Sequence, residues 1–73
     1  MIDIAPMELF WDSDYAIATA LLESYPELDP NAIGLLEIAD LVETLPGFAD
    51  DPTQVTERIL LDIQLTWFEE KNP

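Results

Sequence analysis

Carboxylates are the only plentiful reactive groups in this 73-residue sequence. It contains 16 acidic and 2 basic residues, no cysteine and no histidine, for a formal net charge of −14. Without thiolates or imidazoles, the chain has neither cysteinyl cluster ligands nor the usual zinc ligands. A carboxylate pair supports general acid–base catalysis only when burial raises the pKa of one partner. Because the acids are predicted at helix caps and on polar helix faces, we do not expect an enzyme.

Carboxylate oxygens do suit hard or borderline divalent cations. Glu27 and Asp29 lie at the first Asp-Pro turn of the sequence, and Asp50 and Asp51 lie at the second. These four acids are candidate metal ligands that converge if the first and third predicted helices pack side by side. In the alternative interpretation, Asp29 and Asp51 are N-caps of the turns that their prolines begin. No EF-hand spacing is present, so we expect weak cation binding and no tightly bound cofactor.

The charge also excludes several classes of function. A nucleic-acid binder neutralises phosphates with many Lys and Arg side chains, and this sequence has only Arg58 and Lys71. An anionic membrane surface is disfavoured for the same reason, and no apolar run approaches the roughly 20 residues of a membrane span. Because the first residues do not resemble a secretory signal, we expect a cytoplasmic protein. The excess of acidic residues then serves either to keep the protein soluble or to bind a positively charged partner.

Three helices must position these acids. Hydrophobic periodicity predicts them from just after Trp11 to Pro26, over about 36–45, and over about 52–70. No segment alternates as a strand does, and Ile33–Leu35 is the one stretch that suggests a short extended bridge. We therefore predict a mainly α fold, a small three-helix bundle of the helix-turn-helix type. Both tryptophans are assigned to its core.

The third predicted helix is apolar on two faces, and the chain length allows one small domain. The core face comprises residues spaced by four: Val55, Ile59, Ile63 and Trp67. A second stripe, called the outer stripe below, comprises Leu61, Leu65 and Phe68. We assign the domain to residues 11–73 and predict that an apolar leader, residues 1–10, folds back over the outer stripe. In the competing interpretation, the outer stripe is an exposed surface for a partner or for self-association.

Several short motifs follow one another in a characteristic order. They are YPELDP at residues 25–30, F-x-DDP at 48–52, and E-x-IL at 57–60, followed by Trp67 and Glu69-Glu70. In this order and spacing they resemble the IscX family, small acidic proteins of bacterial iron–sulphur cluster assembly. The resemblance implies a modified winged-helix fold with a reduced wing, and a non-enzymatic role. The sequence departs from the family at Gly34, where Arg is usual, and at Leu61, where an acid is usual.

The resemblance also implies partners. Family members bind the cysteine desulfurase through an acidic surface and compete there with a frataxin-like protein and ferredoxin. They bind ferrous or ferric iron weakly, as iron donors or as regulators of the desulfurase. We therefore expect a monomeric adaptor, without nucleic-acid or membrane partners, whose candidate partner-binding residues are Glu37, Asp40, Glu43, Glu57, Glu69 and Glu70.

Other interpretations stay open at this point. An acidic mimic of nucleic acid, which inhibits a basic DNA- or RNA-binding protein, needs the same kind of surface, so charge alone does not separate it from an adaptor. The ordered motifs favour the adaptor. A standalone metal buffer is disfavoured because no clustered ligand spacing is present. In the plainest interpretation, Glu37, Asp40 and Glu43 are only the solvated face of the second helix.

Overall fold

The computed structural model describes residues 8–72 and builds them mainly from α-helices. The elements are α1 (Asp14–Ser24), α2 (Leu35–Glu43), a 3₁₀ turn (Pro52–Gln54) and α3 (Glu57–Lys71). The predicted mainly α, three-helix bundle is confirmed. None of the helices within residues 8–72 has the length and apolar content that a membrane span requires.

The core forms where α3 packs against α1 and, less extensively, against α2. Each helix contributes side chains that are fully buried: Ile17 and Leu21 from α1, Ile38 and Val42 from α2, and Ile63 and Trp67 from α3. Trp11 joins them with 3% of its surface exposed, which confirms that both tryptophans belong to the core. The apolar stripes of the three helices therefore meet as their periodicity predicts.

Among residues 8–72, the first buried residue is Leu9, which is 4% exposed, two residues before the domain boundary drawn from the sequence. Leu9 forms a single parallel β-bridge with Phe48. Its N–H donates to the Gly47 carbonyl at 2.8 Å, and its carbonyl accepts from the Ala49 N–H at 2.9 Å. This bridge is all the β-structure in residues 8–72, so the bridge suggested at Ile33–Leu35 is wrong. Gly47 itself has a φ of 91°, a left-handed conformation that favours glycine.

α2 begins one residue before its predicted start because Gly34 acts as its N-cap. The Ile38 N–H donates to the Gly34 carbonyl at 3.1 Å, which starts the helical ladder. The Glu37 carboxylate accepts from the Gly34 N–H at 3.1 Å. Glu37 thus satisfies a backbone donor at the helix start and places a negative charge at the positive end of the helix dipole.

The predicted third helix over 52–70 is wrong at its start. The Asp51 side chain caps only the 3₁₀ turn Pro52–Gln54, after which Val55 is extended, with φ −72° and ψ 144°. α3 then begins at Glu57, and the Thr56 hydroxyl accepts from the Ile59 N–H at 3.2 Å. A second N-cap five residues after Asp51 therefore competes with the first, and the β-branched Val55 and Thr56 adopt extended backbone between the two.

The outer stripe lies on the face of α3 away from the core. Leu61, Leu65 and Phe68 are 45%, 56% and 37% exposed. The predicted covering of this stripe by the leader concerns residues 1–7, which lie outside the described residues. Within the described part of the leader, Leu9 packs into the main core instead.

Candidate functional site

The second Asp-Pro turn is tied to the start of the core through Trp11. The Trp11 backbone N–H donates to Asp50 Oδ2 at 2.9 Å, and the indole Nε1–H donates to the Asp51 carbonyl at 2.8 Å. The ring packs edge-on against Phe48, with centroids 5.0 Å apart and planes at 69°. Asp50 Oδ1 also accepts from the Asp51 N–H at 2.7 Å. Both carboxylate oxygens of Asp50 therefore hold the fold together.

Asp51 caps the turn that follows it. Its Oδ1 accepts from the Thr53 N–H at 2.9 Å and from the Thr53 hydroxyl at 2.8 Å. The backbone hydrogen bond from Thr53, and then its side-chain hydrogen bond, lower the pKa of Asp51 below its ordinary value. The N-cap interpretation of Asp51 is thus confirmed, and the carboxylate is ionised at neutral pH.

The first Asp-Pro turn lies against the second half of α3. Asp29 Oδ1 accepts from the Asn31 N–H at 2.9 Å, which closes a small turn around the buried Pro30. The Pro30 carbonyl accepts from Gln64 Nε2 at 2.8 Å. Glu27 is exposed and follows Pro26, whose carbonyl accepts from Lys71 Nζ at 2.8 Å.

These contacts place Glu27 and Asp50 beside different ends of α3, with Asp29 next to Pro30, whose carbonyl contacts the middle of the helix at Gln64. Asp50 borders a shallow groove with Ile59, whereas the residue before Glu27 contacts Lys71. Ile59 and Lys71 are twelve residues apart, which is about 18 Å along an α-helix. Although α1 and α3 do pack side by side, residues 8–72 contain no group of three or more acidic side chains arranged to hold a metal ion. The expected convergence of the four acids does not occur.

The acidic surface is nearly uncompensated within the described chain. Every acidic side chain there is exposed except those of Asp14 and Asp50, which are half-buried. Of the two cations, Arg58 pairs with Asp62 at 3.4 Å, and Lys71 donates to the Pro26 carbonyl. The described surface therefore presents a field of one sign, which attracts a positively charged partner over long range.

The candidate partner-binding acids fall on two separate parts of this surface. Glu37, Asp40 and Glu43 lie on the exposed side of α2. Glu57 joins them at the N-terminal end of α3, where it borders a groove with Leu35 and Leu36. Glu69 and Glu70 lie at the other end of α3, about 18 Å from Glu57 along the helix. The six acids are all exposed, but they do not form one patch.

Sequence reasoning missed the tie between Trp11 and the Asp50-Asp51 turn. It assigned Trp11 to the core and the aspartates to capping or metal binding, without connecting them. The available signal was the F-x-DDP motif, since its Phe48 and Asp50 both contact Trp11. Phe48 and Asp50 lie 37 and 39 positions after Trp11, and local periodicity carries no information at that separation.

Nearly all of the described chain matches one known protein family. The sequence profile of the family described as "Iron-sulphur cluster assembly" matches residues 9–72. The chain belongs to this family, the IscX family. An uncharacterized protein of Pseudomonas aeruginosa is 39% identical over 66 residues, which cover 90% of this chain and all of that protein. The IscX match starts at Leu9, the first buried residue in the described part of the chain, and it includes both Trp11 and the Asp50-Asp51 turn that it contacts.

IscX membership confirms the resemblance drawn from the ordered motifs and connects the chain with iron–sulphur cluster assembly. Within residues 8–72, the arrangement offers exposed carboxylates for ionic contacts and no buried acid for proton transfer. The chemistry that this surface supports is electrostatic association.

Proposed function

We propose that this protein is a non-enzymatic adaptor or regulator of iron–sulphur cluster assembly that binds the cysteine desulfurase through its acidic surface. Family membership supports the process. The observation that supports this partner is the negative electrostatic field of the described residues, whose exposed carboxylates far outnumber the two cations. Such a surface accelerates association with a basic partner and selects against acidic ones. We place the protein in the cytoplasm, as a monomer.

A binding role suits these carboxylates better than catalysis. An acid catalyst needs burial to hold its proton near neutral pH. The described carboxylates are exposed or half-buried, and Asp51 is shifted towards a lower pKa. The adaptor hypothesis also explains the family assignment, which an acidic mimic of nucleic acid does not.

We also propose that this surface binds iron weakly, at two separate pairs of carboxylates. Glu27 and Asp29 form one such pair, and Asp50 and Asp51 form the other. The separation of the two pairs along α3 argues against a single four-carboxylate site. Asp50 and Asp51 also use carboxylate oxygens in internal hydrogen bonds, so iron bound there keeps most of its water ligands.

The test is a titration with purified cysteine desulfurase at low and high salt. We expect binding that weakens as salt rises, because the Debye length is only about 8 Å at physiological ionic strength. The double variant Asp40→Asn, Glu43→Gln should raise Kd by about two- to thirtyfold, at roughly 0.2–1 kcal/mol for each exposed charge. A matched control, Glu8→Gln, Glu23→Gln, removes two exposed charges outside the candidate set and should have a smaller effect.

Two results would contradict the proposal. The first is an absence of binding at low salt with both proteins folded. The second is an affinity that does not change with salt, since an electrostatic surface cannot produce it. A variant of Glu69→Gln, Glu70→Gln then reports whether the far end of α3 belongs to the same interface.

A further inference from the structure

The outer stripe is an apolar surface without a partner among the described residues. Leu61, Leu65 and Phe68 occur at i, i+4 and i+7 of α3, and each exposes more than a third of its surface. With Asn31 and Gln64 they line a groove of about 490 Å³. These three large apolar side chains share one face of α3, whose other exposed positions are all charged, and contiguous apolar patches mark interaction sites.

Acidic side chains border this stripe along α3. Glu57 lies one turn before Leu61, Asp62 follows Leu61, and Glu69 lies one turn after Leu65, and all three are exposed. The one cation that lines the groove, Arg58, is paired with Asp62 at 3.4 Å. The patch is therefore an apolar centre with an anionic border.

Charge and area both disfavour a second copy of this chain as the occupant. Each copy carries a net charge of −14, so a dimer brings two strongly negative surfaces together. Stable interfaces bury about 800 Å² per partner. Three side chains that are each about half exposed supply well under that area, and the remaining contacts would join like charges.

We propose that the outer stripe is the apolar centre of a docking surface for a partner protein segment in which apolar side chains are bordered by Lys or Arg. An amphipathic helix with basic flanks has this chemistry. Apolar contacts at the centre of an interface govern dissociation, whereas the charged border governs association and salt dependence. The inference deepens the proposed function and rests on it where the desulfurase is the partner tested.

The first experiment compares two exposed large side chains. Leu65→Ser removes the middle of the outer stripe, and Tyr15→Ser, on α1 away from the groove and from the candidate partner-binding acids, changes a side chain that is 61% exposed. With the purified desulfurase, we expect Leu65→Ser to raise Kd about tenfold or more, mainly through faster dissociation. Tyr15→Ser should stay within about twofold of the parent chain. Circular dichroism and thermal melting establish that both variants are folded, and equal affinities of the two would overturn the proposal.

The second experiment does not depend on the desulfurase. A synthetic amphipathic helix of Leu and Lys is titrated into the full chain, followed by NMR, beside a peptide of the same charge with Ser in place of Leu. We expect shifts at Leu61, Leu65 and Phe68 with the first peptide only. Equal shifts with both peptides would show that charge alone governs binding and would overturn the inference.

The two experiments distinguish a failure of the proposed function from a failure of the proposed docking surface. If the desulfurase does not bind but the Leu–Lys peptide occupies the outer stripe, the proposed function fails and the docking surface stands. If the desulfurase binds the parent chain and Leu65→Ser equally, the docking surface fails and the proposed function stands. A concentration-dependent dimer that Leu65→Ser abolishes, measured by sedimentation, would assign the stripe to a second copy and overturn the inference.

Discussion

The Trp11 backbone N–H is held by the Asp50 carboxylate at 2.9 Å, across 39 positions of sequence. The same tryptophan donates its indole N–H to the next residue, Asp51, at 2.8 Å. Trp11, which the sequence assigned to the core, and Asp50, which it assigned to metal binding, thus form one structural unit. This unit fixes the N-terminal segment to the turn before α3. The main role of Asp50 is therefore to stabilise the fold, and metal binding is secondary.

Replacement of Asp50 by Ala should therefore destabilise the protein. Its carboxylate accepts from two backbone N–H groups, and hydrogen bonds to a charged group that is only half-buried support a loss of about 1–2 kcal/mol. Urea denaturation measures the change. Asp12→Ala is the control, because Asp12 is an exposed aspartate beside Trp11. Equal losses for the two variants would contradict the role assigned to Asp50.

Asp51 should make stability depend on pH in the acid range. Its folded-state pKa is lowered, so its carboxylate contributes stability that is fully present above the unfolded pKa of about 3.9. That contribution is lost as pH falls through the lower, folded-state pKa. The free-energy difference between the parent chain and Asp51→Asn should be constant near neutral pH and shrink in acid. An NMR titration that places the Asp51 pKa at or above the ordinary value would refute this prediction.

The two tryptophans should respond differently to replacement by Phe. Both are almost completely buried, so both variants lose a similar volume. The Trp11 indole N–H has a partner in the Asp51 carbonyl, whereas Trp67 Nε1 has none. Since removal of an unsatisfied buried donor relieves a cost and removal of a satisfied one does not, Trp11→Phe should cost about 1 kcal/mol more than Trp67→Phe. Thermal or urea unfolding measures the stability of both variants. A larger loss for Trp67→Phe than for Trp11→Phe would be evidence against the hydrogen-bond assignment.

Paramagnetic broadening by Mn²⁺ should appear at two separate places. One is the Glu27–Asp29 turn and the other is the Asp50–Asp51 turn, since the first is flanked by contacts to α3 at Gln64 and Lys71 and the second lies near its start. We expect weak, simultaneous broadening at both without saturation at a single stoichiometric site. The double variant Glu27→Gln, Asp29→Asn should remove the first effect and leave the second. Broadening confined to Glu69 and Glu70 would refute this placement.

The helices could be predicted because their signals are local. Ile38 and Val42 are buried as their spacing indicates, and so are Ile63 and Trp67 of α3. Ile59, predicted on the same core face, is half-buried, and its neighbour Leu60 is buried. The start of α3 could not be predicted, because two N-caps, Asp51 and Thr56, compete within a few residues. Which of them begins the long helix depends on how the chain between them packs.

The candidate site was less predictable, since it depends on distance in space. The acids at the two Asp-Pro turns look equivalent in the sequence, but they lie beside different parts of α3. Glu27 follows Pro26, whose carbonyl contacts Lys71 at the end of the helix, whereas Asp50 lines a groove with Ile59 near its start. The length of α3 keeps them apart. Periodicity showed that Leu61, Leu65 and Phe68 share a face, but it could not show whether that face would be covered.

The tie between Trp11 and Asp51 also has a consequence for synthesis on the ribosome. Polypeptides emerge from their N-terminus at about 5–20 residues per second, so the 40 residues between Trp11 and its carbonyl acceptor take about 2–8 s to make. α3, with Ile63 and Trp67, follows later still. The nascent chain therefore carries an indole without its native hydrogen-bond partner throughout that interval.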